Sequence, residues 1–169
     1  NKQFSSNSDS KKYIAFMKLT DVLAKILKKN SVKQVFGLQG GAVVHIFDSL
    51  EKYKIQVTYT NHEESAALAA TANAKVNENI GCVVVTTGPG STNAITGLLA
   101  AWQDSVPCLF ISGQARSTHV SYGKKVRQVG TQEVNICDIV RPITKYTKFI
   151  NNKNNFIHEV NNAIKIAKE

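Results

Sequence analysis

The sequence predicts an α/β fold in which a parallel β-sheet is covered by helices on both faces. Three observations lead there. Short strand-like runs alternate with helical segments of roughly ten or more residues, the pattern of a parallel sheet built from crossovers. The runs Cys82–Thr86 and Cys108–Ser112 are apolar nearly throughout, as strands buried on both faces must be. A length of 169 residues suits one domain with a single sizeable core.

The elements follow in order. Residues 1–16 mix Asn, Ser and Lys with little periodicity and read as a flexible extension ahead of a domain at 17–169. Thr20 is placed to cap a helix whose apolar positions Val22, Leu23, Ile26 and Leu27 recur at helical spacing. Strands are expected at Gln34–Phe36, Ile55–Thr60, Cys82–Thr86, Cys108–Ser112 and Ile143–Ile150. Helices are expected at Val43–Lys52, Glu63–Asn77, Thr92–Gln103 and Gln132–Val140. A last helix, Asn154–Lys168, carries Phe156, Val160, Ile164 and Ala167 along one stripe.

Composition narrows the function classes. The net charge is +9, but 18 of the 21 cations are lysines, and eight of those lie among the first 33 residues. No aromatic-interleaved basic motif or recognition-helix pattern accompanies them, so solvated faces explain the charge better than nucleic acid does. No apolar run approaches the roughly 20 residues of a membrane helix. Asn1–Lys12 is too polar for a signal peptide. Cys82, Cys108 and Cys137 are odd in number and lack metal-ligand spacing, which suits reduced thiols in the cytoplasm.

Right-handed crossovers bring the carboxyl ends of all the strands to one edge, where open α/β sheets bind ligands. Four unusual segments fall there: Gly37-Leu38-Gln39-Gly40-Gly41, Asn61-His62-Glu63-Glu64, Thr86-Thr87-Gly88-Pro89-Gly90-Ser91-Thr92-Asn93 and Gly113-Gln114. Each has an ordinary reading. Gly88-Pro89-Gly90 makes a tight turn into a helix, and two acids at a helix start complement the macrodipole. Asn93 stands where a dinucleotide fingerprint has its third glycine, and no Gly-Lys-Ser/Thr follows to make a P-loop. His45, His62, His119 and His158 form no metal-spaced set with Cys or Asp.

Taken together, Val35-Phe36-Gly37-x-x-Gly40-Gly41, His62-Glu63 before an Ala-rich helix, Thr86-x-Gly88-Pro89-Gly90-x-x-Asn93 and Gly113-Gln114 resemble one family. It is the pyrimidine-binding (PYR) domain of thiamine-diphosphate enzymes of the acetolactate synthase and pyruvate-oxidase-like kind. The resemblance covers residues 18–168 and implies a three-layer αβα thiamine-diphosphate-binding fold. It implies that the Glu63 carboxyl contacts N1′ of the cofactor's aminopyrimidine and so promotes loss of the C2 proton by acid–base relay. It implies that Thr86, Pro89, Gly90 and Asn93 line the pyrimidine pocket. Gly40 and Gly41 would border the reacting centre, and Gln114 would face the substrate. Leu38-Gln39 departs from the aromatic–proline pair common in the family, which leaves the substrate's identity open.

The family holds the cofactor's diphosphate through Mg²⁺ on a separate domain with a Gly-Asp-Gly motif, and this sequence has none. The resemblance therefore implies a site completed by the diphosphate-binding domain of a neighbouring subunit, in a homodimer or larger assembly. It implies a longer protein and a domain inactive alone. Some relatives also carry FAD on other domains. The expected substrate is a small 2-oxo acid, decarboxylated and joined to an acceptor. Two alternatives stay open: a small subunit of a split 2-oxo acid decarboxylase, and an interaction module that kept the fold without the chemistry.

Overall fold

The structure, a computed structural model, describes residues 17–169. The extension expected at 1–16 lies outside the described residues.

Four strands, β1 (Gln34–Gly37), β2 (Gln56–Tyr59), β3 (Gly81–Val85) and β4 (Cys108–Ser112), form a parallel sheet in the order β2-β1-β3-β4. Alternate residues of the inner strands point to opposite faces, and each face meets its own helices. Val35, Cys82, Val84 and Leu109 pack under α1 (Leu19–Lys29), α2 (Val44–Lys52) and the last helix, α7 (Phe156–Lys168). Phe36, Val83 and Val85 pack under α3 (Glu63–Asn77) and Ala94, which leads into α5 (Ile95–Gln103). The three-layer αβα architecture stands as the sequence predicted.

The alanines of α3 have a packing reason. Ala66, Ala67, Ala70 and Ala74 are buried, and α5 approaches so closely that a Cβ on Gly97 would lie 2.3 Å from that of Ala67. On the other face Asp21 is 5% exposed, yet its carboxylate is met by Lys52 Nζ and Ser49 Oγ at 2.7 and 2.8 Å. The hydrogen bond from Lys52 holds that carboxyl below its ordinary range and ties α1 to α2. Cys82 is sealed in the core, where burial pushes its thiol up to about 12 and leaves it unreactive.

Several boundaries differ from expectation. Thr20 is not a cap: α1 begins two residues earlier than such a cap would place it, with Lys18 at the cap position, and Ser49 Oγ lies 2.8 Å from the Thr20 hydroxyl. The helix expected at Thr92–Gln103 begins at Pro89, since proline suits a first helical position. It is divided at Ala94 into α4 (Pro89–Asn93) and α5. The helix expected at Gln132–Val140 shrinks to α6 (Ile136–Val140), where the Asn135 side chain caps the Asp138 N–H at 3.3 Å. Helix α7 starts at Phe156, behind a 3₁₀ turn at Lys153–Asn155. Ile143–Ile150 is not a strand: a 3₁₀ turn at Arg141–Ile143 runs into irregular chain. Among the described residues no helix is long and apolar enough to cross a membrane.

Candidate functional site

The strand order contains a switch point. From β1 the chain leaves toward β2, and from β3 it leaves toward β4, which makes the carboxyl edge between these two strands the position where open α/β sheets form a ligand crevice. Gly40, after β1, lies against Thr86, after β3: a Cβ on Gly40 would sit 2.5 Å from the Thr86 Cβ and 2.6 Å from its hydroxyl. Only a residue without a side chain lets the two loops meet this closely.

Glu63 reaches the same place from β2. It is the first residue of α3, where the His62 Nδ1 accepts the Glu64 N–H at 3.3 Å. That cap gives His62 an ordinary structural task and fixes the helix start that carries the acid. Glu63 is 7% exposed. Its Oε2 accepts from Asn93 Nδ2 at 3.1 Å. Its Oε1 has no hydrogen-bond partner among the described residues and is not sealed from solvent. A Cβ on Gly90 would lie 3.2 Å from Oε1 and 2.6 Å from the Thr86 methyl carbon, so this glycine keeps the floor of the crevice open. One carboxylate oxygen is anchored and the other is presented, which is the arrangement a positioned acid–base group needs.

Of the residues singled out from sequence, the structure brings together Glu63, Asn93, Gly90, Thr86 and Gly40. Gly41 has nothing within 4 Å of where its Cβ would stand. Pro89 is exposed. Gln114 is engaged elsewhere: its Oε1 is 3.0 Å from Thr87 Oγ1 and accepts from the Ala115 N–H at 2.8 Å, while Nε2 donates to the Val134 carbonyl at 2.8 Å. Its amide stitches together the two ends of the loop that follows β4. Among the described residues no group of three His, Cys, Asp or Glu is placed to hold a metal ion.

Sequence reasoning assigned no role to the organiser of that loop, Glu133, although Thr131-Gln132-Glu133 shares in the family resemblance. The Glu133 carboxylate accepts from the Ser121 N–H, from Ser121 Oγ at 2.7 Å, and from the Val129 and Gly130 N–H groups at 2.9 and 3.3 Å. These bonds, the Ser121 N–H first, hold its carboxyl down at about 2. Next to it Gln132, at φ +59°, presses its carbonyl onto Gly88, where a Cβ would lie only 2.3 Å away. The available signal was that Glu133 is the only acid between Asp104 and Asp138.

A depressed carboxyl contributes stability that is complete above its unfolded value near 4.5 and is lost as pH falls through about 2. Glu133→Gln should therefore flatten the acid limb of the stability profile between those values, measured by denaturant melts across pH. It should also speed amide hydrogen exchange at Ser121, Val129 and Gly130, and unchanged exchange there would contradict the loop's dependence on this carboxylate.

Residues 17–139 match the family model of the thiamine pyrophosphate enzyme N-terminal TPP-binding domain. The chain belongs to that family. This thiamine pyrophosphate enzyme domain is 34% identical over 148 residues to the acetolactate synthase large subunit of Haemophilus influenzae, covering 87% of the chain and 25% of that relative. It is 37% identical over 128 residues to the isozyme 3 large subunit of Escherichia coli, covering 75% of the chain and 21% of the relative. A 2-hydroxyacyl-CoA lyase 2 of Caenorhabditis elegans is 33% identical over 148 residues, 88% of the chain and 22% of the relative. The thiamine pyrophosphate enzyme domain thus spans about a quarter or less of the relatives it matches.

Proposed function

We propose that this domain supplies the pyrimidine-binding half of an active site that decarboxylates a small 2-oxo acid and joins its acyl unit to an acceptor. The observation that carries the reading is Glu63, buried at the switch-point crevice with one oxygen held by Asn93 and the other presented over Gly90. The donor set and the side-chain-free floor fit a flat heteroaromatic ring with a basic nitrogen. Bound thiamine diphosphate supplies the carbon nucleophile for such a reaction. Glu63 Oε1 would share a proton with the ring nitrogen of the bound cofactor. Asn93 fixes the carboxylate's rotamer, and Thr86 with Gly40 and Gly90 sets the crevice width. Mg²⁺ and the diphosphate are assigned to a domain on a neighbouring subunit, FAD, where used, to a further domain, and the assembly to the cytoplasm.

The outer faces of α3 and α5 support pairing with a second copy. Leu68 and Val76 on α3, with Leu99 and Trp102 on α5, are 42%, 81%, 37% and 44% exposed on two helices packed together. Large apolar side chains left exposed on neighbouring helices favour an interface there. Leu68→Glu with Trp102→Glu should shift the protein toward monomer in sedimentation while leaving its thermal unfolding cooperative. A dimer of undiminished affinity would remove these helices from the interface.

The reading is tested by incubating the full-length protein with thiamine diphosphate, Mg²⁺ and a panel of 2-oxo acids beginning with pyruvate, and following CO₂ release. Cofactor-dependent release is expected. A full-length protein that neither releases CO₂ from any member nor exchanges the cofactor's C2 proton would overturn it.

A further inference from the structure

The loop between β4 and α6 carries four cations, Arg116, Lys124, Lys125 and Arg127, and no acid at all from Ala115 to Gln132. All four are exposed, and none forms an ion pair among the described residues. The nearest carboxylate in sequence, Glu133, makes no ion pair with them, because backbone N–H groups and a serine hydroxyl already occupy both of its oxygens. Residue choice adds to the case. The chain uses lysine 18 times and arginine three times. Arg141 pairs with Asp138 at 2.6 Å, so both arginines without a carboxylate partner fall in this one loop. Arginine's planar fork matches phosphate oxygens two at a time, which a lysine does not do.

The loop is also built rather than loose. Its two ends meet, since a Cβ on Gly130 would stand 2.7 Å from the Ala115 Cβ and 2.8 Å from the His119 carbonyl. Arg116 is adjacent to one stem and Arg127 lies just before the other. Gln132 seats the loop on Gly88, at the start of the turn that bears Gly90 and Asn93. The stem of the cation-bearing loop is thereby fixed to the turn beside the crevice that presents Glu63.

We propose that this cationic loop, centred on Arg116 and Arg127, recognises a phosphate-bearing ligand of the adjoining site. The inference rests on the function proposed above and adds phosphate to the chemistry the site receives. The phosphate is that of a phosphorylated substrate, because the cofactor's diphosphate is assigned above to a separate domain.

The ¹⁵N-labelled 169-residue chain is titrated with inorganic diphosphate, at low ionic strength and again at physiological salt, and amide shifts are followed. Saturable shifts confined to residues 116–127 are expected. Arg116→Gln with Arg127→Gln should weaken binding at least roughly tenfold, as loss of charge-assisted bidentate contacts implies. Lys29→Gln with Lys33→Gln, which removes equal charge from another surface, should change it less than about twofold. Unmoved Ser121, Val129 and Gly130 amides in the arginine variant show that the loop still folds. Thiamine diphosphate should bind the loop no tighter than inorganic diphosphate. Tighter binding with coupled shifts around Glu63 would overturn the substrate assignment. Unsaturable shifts, equal weakening in both variants, or shifts spread along α1 would overturn the proposal. Failure of the Glu63 chemistry would appear separately, as C2 proton exchange indifferent to that residue.

Discussion

Glu63→Gln in the full-length protein is expected to slow exchange of the thiamine C2 proton by roughly 10²–10⁴-fold, the usual contribution of a positioned acid–base group. The substitution is nearly isosteric, and the anchoring half of the carboxylate has a substitute: a glutamine carbonyl still accepts from Asn93 Nδ2. The presented half does not. With the carbonyl turned to Asn93, an NH₂ group faces the crevice, and it neither gives nor takes a proton at the ring nitrogen. Thermal stability should accordingly change little while exchange collapses. Glu63→Asp keeps the acid but draws it back by a methylene toward α3, and an intermediate rate is expected. NMR measurement of C2 deuterium uptake separates these outcomes from any effect on substrate binding. Exchange at the wild-type rate in Glu63→Gln would favour a module that kept the fold without the chemistry.

The sheet was legible because burial writes itself into composition. Cys82–Val85 are apolar because both of their faces are covered, whereas Cys108–Ser112, expected to be buried in the same way, forms an edge strand of the four, with only Leu109 buried. The site was legible for a related reason. Gly40, Gly90 and Glu63 are residue types that a simple turn or helix start does not demand in combination, and the fold brings all three to Thr86 or its neighbours. Ile143–Ile150 misled because its composition is that of a strand while its surroundings are not. It lines a cavity of about 620 Å³ whose other walls include Cys108–Gln114 of the β4 edge, so no strand lies close enough to pair with it. A strand needs a partner, and local pattern cannot supply one. The Glu133-centred loop was illegible for a different reason. Its bonds join a carboxylate to backbone N–H groups as far back as Ser121, and Gln132 adopts a positive φ that its side chain gives no cause to expect.

Gly40→Ala should destabilise the domain and Gly41→Ala should leave it unchanged, although the two glycines are adjacent and share one motif. At position 40 the new methyl carbon would fall within 2.7 Å of the Thr86 Cβ, Oγ1 and Cγ2. These atoms are a β-branched side chain and not the end of a flexible one, so they cannot swing clear without moving the backbone after β3. Overpacking of this kind costs about 1–3 kcal/mol. For a domain of this size that lowers Tm by roughly 2–12 °C. Because Thr86 also touches the Gly90 floor beneath Glu63, the strain reaches the crevice, and affinity for thiamine diphosphate in the full-length protein should fall with it. At position 41 there is open space and no positive φ, so alanine should be neutral within about 0.5 kcal/mol. Thr86→Gly removes the three atoms nearest to the position-40 methyl. The Gly40→Ala, Thr86→Gly pair should therefore be more stable than the sum of its single changes by at least about 0.5 kcal/mol. Strict additivity in that cycle, measured by denaturant unfolding, would mean that the loops after β1 and β3 do not touch, and the crevice would lose the contact that defines its width.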